Sequence, residues 1–183
     1  MGLAFVLAIR LTVPLSIFRW PLAGGLLAIV ADSIDIVIFQ VLGFPSFLSY
    51  HQIDKALDAY YLVIEALVVQ GWDPLPRWTA TALFAYRMAG VAVFELTDAR
   101  ALLLLFPNLF EFFYLFYVAA RRFAPSYELT PKRTAAWLGV LLVPKEFQEY
   151  ALHYARWLDH AVAADIIHDD AIAVWDWLRD LVT

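Results

Sequence analysis

From Leu22 to Val41 the only ionisable side chains are Asp32 and Asp35, set in an otherwise largely apolar run. Further apolar runs follow the same plan: Leu3 to Phe18, Ile53 to Gln70, Trp78 to Leu96, Ala101 to Ala120 and the shorter Thr134 to Val143. Runs of this length require helices with an apolar surround, because each strand of a sheet spans far fewer residues. Of the 183 residues, 63% are hydrophobic and only 17% are charged. An average soluble domain is roughly half apolar and about a quarter charged. The expectation is an all-α, polytopic integral membrane bundle of five or six transmembrane helices of ~20 residues, in the cell membrane. Residues 1–160 form that domain, and 161–183 add an amphipathic C-terminal helix.

Several classes are excluded. The net charge of −5 and the lack of a Lys/Arg-rich face argue against nucleic acid as a partner. With no cysteine there is no disulfide, thiolate ligand or thiol nucleophile. Gly2 to Ile9 is apolar, but no basic residues precede it, so it reads as a first helix and not as a removed signal. Arg19, Arg77 and the group Arg121, Arg122, Lys132 and Arg133 fall in alternate connections, which places those connections on one side. In the tail, Ile167, Ala171, Val174, Leu178 and Leu181 recur at helical spacing, with aspartates elsewhere on the wheel.

The ionisable residues inside the apolar runs carry the functional information. His51, Asp54, Asp58 and Glu65 form one polar stripe along the third run. Arg87 and Glu95 lie in the fourth, and Asn108 and Glu111 share a face of the fifth. Glu146, Glu149 and His153 share another face beside Lys145. Acids outnumber cations, so pairing cannot neutralise all of them. The remainder need raised pKa values, water or a bound cation. Arg87 is expected to pair with one of these acids, and its loss to cost ~3–5 kcal/mol.

The sharpest pattern is Asp32-x-x-Asp35 followed by Asp54-x-x-x-Asp58. Two carboxylate pairs on adjacent helices can hold Mg²⁺ or Mn²⁺, which favour hard oxygen ligands and leave positions open for phosphate. This pattern resembles the CDP-alcohol phosphotransferase family, which carries two aspartates three apart and then two aspartates four apart. The resemblance implies metal ligation by Asp32, Asp35 and Asp54, with Asp58 at the same centre as general base. It also implies transfer of a phosphoryl-alcohol head group to or from a CDP-linked membrane lipid. Ile36, Phe39-Gln40 and Tyr50 stand where the family has Gly, Ala-Arg and Gly.

Three functions follow as expectations. The first is a divalent-metal-dependent lipid head-group transferase. The second is a non-catalytic membrane subunit or scaffold, joined to a partner membrane protein or to further copies of itself. The third is a cation or proton carrier using buried carboxylates.

Overall fold

Proline and glycine set the boundaries of the helices. The computed structural model describes residues 2–41, 48–97 and 105–150, with side chains for 6–32, 55–97, 105–147 and 150. Helix α1 (Gly2–Thr12) gives way at Pro14 to a 3₁₀ segment, Val13–Phe18, which ends where Arg19 N–H donates to the Ser16 carbonyl at 3.0 Å. Helix α2 (Pro21–Val41) begins on a proline, whose missing N–H is no loss in a first turn. Helix α3 (Leu48–Val69) stops at Gly71-Trp72-Asp73, and α4 (Pro74–Thr97) starts on the next proline. Pro107 and Asn108 precede α5 (Leu109–Phe123), and Thr130 caps α6 (Pro131–Glu149) by accepting from Arg133 N–H at 3.3 Å.

Helix α5 is the centre of the fold. Phe110, Phe113 and Tyr114 are completely buried, and Tyr117 and Val118 nearly so. The helix packs against α2, α3, α4 and α6. Each large side chain buried here contributes ~1.5–3 kcal/mol relative to exposure. Phe84 of α4 meets Phe110 edge-on at 5.3 Å, and Trp137 of α6 lies 4.4 Å from Phe116. One close approach depends on glycine. A Cβ on Gly24 would lie 2.5 Å from the Ile17 backbone nitrogen, so α2 could not sit against the 3₁₀ segment with a larger residue there.

The helices alternate in direction. Lys55, early in α3, pairs with Glu95, late in α4. Tyr117, late in α5, reaches Asp73 at the start of α4. Lys145, late in α6, stands over the ring of Phe112, early in α5.

Among the described residues no helix is long and apolar enough to cross a membrane. At 11 and 15 residues, α1 and α5 fall short of the ~20 that a bilayer core requires. Helices α3, α4 and α6 have the length but carry Lys55, Asp58 and Glu65, Arg77, Arg87 and Glu95, and Lys132, Arg133 and Lys145. Helix α2 carries Asp32 and Asp35. The expected polytopic membrane bundle, and with it residence as an integral protein of the cell membrane, is corrected to an all-α bundle built around α5. The apolar runs supply packing surface between helices only in part: Ile64, Phe110, Phe113 and Tyr114 are buried, while Leu26, Leu27, Val63 and Leu67 stay exposed. Two runs also differ in extent. The fifth is broken at Pro107, which has no N–H to continue a helix, so α5 starts at Leu109. The sixth is longer than its apolar part and continues through Pro144 to Glu149. The acidic tail 161–183 lies outside the described residues.

Candidate functional site

Two polar centres stand at opposite ends of the bundle. The first gathers the acids of α2, α3 and α5. Arg10 of α1 is buried, and its Nη2 lies 2.5 Å from Oδ1 of both Asp32 and Asp58. One turn after Asp58, Tyr61 donates its hydroxyl to Glu111 Oε2 at 2.9 Å. Asn108 Nδ2 donates to the same oxygen at 2.6 Å. Glu65, one turn further along α3, is fully buried, and neither of its oxygens has a hydrogen-bond partner.

Burial pushes the Glu65 carboxyl well above the usual range, and the Glu111 charge adds to it. Burial also raises Glu111, opposed by the positive charge of Lys145 and by the Tyr61 hydrogen bond. The Tyr61 hydroxyl is pushed up by burial and then by the negative charge of Glu111. Both acids are pushed toward their protonated forms, Glu65 further than Glu111, which Lys145 and the Tyr61 hydrogen bond hold back.

The two aspartate pairs therefore do converge in part, since Asp32 and Asp58 meet from different helices. They meet on a guanidinium, which stands between them where a metal ion was expected. The side chains of Asp35, Asp54 and Glu149 and all of His153 lie outside the described residues. Among those described, no group of three or more His, Cys, Asp or Glu is placed to hold a metal ion, which corrects the expected metal-binding character.

Arg87 behaves differently from expectation. Its Nη1 donates to the Phe106 carbonyl at 2.8 Å, and its Nε has no partner. It acts on Glu111 only as a neighbouring charge. Arg10 holds the acids instead, a role the sequence reading passed over. The signal was present: a lone arginine in an 11-residue apolar helix must reach a carboxylate or carbonyl if it is buried. Glu95 pairs with Lys55 at 2.6 Å on the surface, and Glu146 is half-buried on α6.

The second centre lies at the other end, where α2 begins, α3 passes to α4, and α5 ends. A cleft of about 380 Å³ opens between these elements. Its wall is aromatic: Trp72 and Tyr117 have ring centroids 4.2 Å apart, and Tyr114 stacks on Trp72 from beneath at 5.5 Å. Its polar lining is Asp73, Arg121 and Arg122. Asp73 Oδ2 accepts from the Tyr117 hydroxyl at 3.2 Å and lies 3.9 Å from Arg121 Nη1. Arg122, exposed at the next position, has no carboxylate partner among the described residues.

The alternating helices bring Arg19, Arg77, Arg121, Arg122, Lys132 and Arg133 to this same end. These are the cations that fall in alternate connections of the sequence. Their common side is one end of the bundle. Comparison with protein-family models, curated proteins and solved structures finds no match.

Proposed function

We propose that the protein is a binding module that takes a phosphate-bearing ligand in the cleft between α2, the α3–α4 connection and α5. The observation that carries this reading is the adjacent pair Arg121 and Arg122 at the rim of an aromatic-walled cleft, at the end where the other surface cations gather. The volume, about 380 Å³, is that of a site for a small molecule. Guanidinium groups suit phosphate because their planar donors match its oxygens. The acid and the phenol of the lining, Asp73 and Tyr117, are hydrogen-bonded to each other, and the reading is one of binding. The acids of the opposite end act within the fold: Arg10 holds Asp32 and Asp58, and Tyr61 and Asn108 hold Glu111.

Isothermal titration of the full chain with glycerol phosphate is the direct test. Saturable binding that Arg121→Gln, Arg122→Gln loses supports the reading. Absence of binding, or equal binding by the double variant, overturns it.

A second reading, assembly with further copies of this chain, is favoured by exposed side chains on neighbouring helices. Leu26, Leu27 and Val30 of α2 and Val63 and Leu67 of α3 are all exposed. Apolar side chains gathered in this way mark contact surfaces. The molar mass in solution, compared between wild type and Leu27→Glu, Leu67→Glu, tests it. A single-chain mass for the wild type overturns it.

A further inference from the structure

The cleft contains a carboxylate, and that restricts what can enter it. A ligand carrying only a phosphate would meet Arg121 and Arg122 favourably but would also face Asp73, whose oxygen stands 3.9 Å from Arg121. Like charges brought together in a partly enclosed site oppose binding. A ligand with a phosphate at one end and a cation at the other removes the conflict. The phosphate meets the arginines, and the cation meets Asp73 and the half-buried Trp72 of the cleft wall.

We propose that the ligand is a phosphoammonium group: a phosphate joined through a short alkyl link to an ammonium or quaternary ammonium. This rests on the reading of the cleft as a phosphate site and adds the cationic half. The two halves of the site match that chemistry. Trp72 is half-buried and Tyr117 buried, so the aromatic wall is fixed in place by the core. Aromatic rings beside a carboxylate attract quaternary ammonium through the ring quadrupole and the negative charge of the acid. Tyr117 donates to Asp73 Oδ2, which fixes the carboxylate beside the wall. The same chemistry occurs in free phosphocholine and in the head group of a choline phospholipid.

The experiment is calorimetric titration of the intact protein with phosphocholine, glycerol phosphate and choline. Phosphocholine is expected to bind about tenfold more tightly than either half-ligand, the ratio that ~1.4 kcal/mol of added contact produces. Asp73→Asn, an exposed position, should weaken phosphocholine by a similar factor and leave glycerol phosphate as tight or tighter. Tyr117→Phe keeps the ring and loses the hydroxyl that holds Asp73, so its effect should be smaller. Circular dichroism of each variant establishes that it folds.

If glycerol phosphate binds as tightly as phosphocholine, or Asp73→Asn leaves phosphocholine unaffected, the phosphoammonium assignment is overturned and the phosphate site stands. If no phosphate compound binds, both fall. Co-sedimentation with phosphatidylcholine vesicles, competed by free phosphocholine, assigns the source to a lipid head group. Binding of free phosphocholine without co-sedimentation assigns it to a soluble ligand.

Discussion

Glu65 is enclosed by α2, α3 and α5, with no donor to either oxygen and with a Cβ placed on Gly25 only 3.3 Å from its Oε1. An ionised carboxylate there would lose its hydration and gain no partner, so the protonated form is favoured. The sign of the pH dependence follows. The folded state keeps this proton at pH values where the unfolded chain has released it. The contribution to stability is complete below the ordinary carboxylate pKa and is lost as pH rises through the raised value in the folded state. The melting temperature should therefore fall as pH rises above the ordinary carboxylate range, and Glu65→Gln should flatten that fall. Glu111 shifts in the same direction, so some slope should remain. A Glu65→Gln profile with the wild-type slope would contradict the assignment. Arg10 gives a second test at this scale. Asp32 and Asp58 keep side-chain exposures of 35% and 44%, so their loss of Arg10 is milder than in a fully buried pair. Arg10→Met should lower stability by about 2 kcal/mol in denaturant titration. Adding Asp32→Asn and Asp58→Asn should recover most of that, because the repelling charges go with it.

At the scale of the helix, two glycines make opposite predictions. A methyl group on Gly24 meets the backbone of the 3₁₀ segment, which cannot rotate aside. Gly24→Ala should destabilise by about 1–3 kcal/mol. Gly139 lies within α6 with nothing within 4 Å of its would-be Cβ. Gly139→Ala should stabilise by about 0.5–1 kcal/mol, since alanine loses less conformational freedom in a helix. Thermal unfolding of the pair measures both, and a destabilised Gly139→Ala would show that α6 is strained or packed there. The helix boundaries were legible where proline and glycine wrote them: the breaks at Pro14, at Gly71 to Pro74 and after Arg121 are visible in the sequence. Pro144 was less legible, because a proline inside a helix removes a hydrogen bond and crowds the carbonyl four residues back, which more often ends the helix. Val140 and Pro144 are exposed, so water can satisfy the freed carbonyl. What surrounds the apolar runs was not legible at all. Run length and hydropathy are the same for a helix packed against its neighbours and for one in hydrocarbon. The difference lies in which helices meet and where the charges find partners. The role of Arg10 has the same origin, because its two acids lie 22 and 48 positions away along the chain.

Among the described residues charge is unevenly spread: the end that holds the cleft gathers Arg19, Arg77, Arg121, Arg122, Lys132 and Arg133, and the acids Asp32, Asp58 and Glu95 lie toward the other. The sequence showed the cations in alternate connections, but the cleft depends on Trp72, Asp73 and Tyr117 meeting from separate elements. That meeting follows from the antiparallel packing of α4 and α5. The uneven charge also predicts two kinds of arginine and lysine effect. Arg121 lines the cleft, and Lys132 and Arg133 share its end of the bundle without lining it. Exposed charges acting at a distance are screened over ~8–10 Å at moderate salt, whereas contact pairs in a partly enclosed site are screened much less. Lys132→Gln, Arg133→Gln should therefore weaken glycerol phosphate binding a few-fold in dilute buffer and lose that effect near 1 M salt, where the screening length is about 3 Å. Arg121→Gln should weaken binding in both conditions. Titrations of the two variants at both salt concentrations measure the difference. If both lost their effect in salt, the cations at this end would act only as a diffuse field, and the cleft would not be where the phosphate rests.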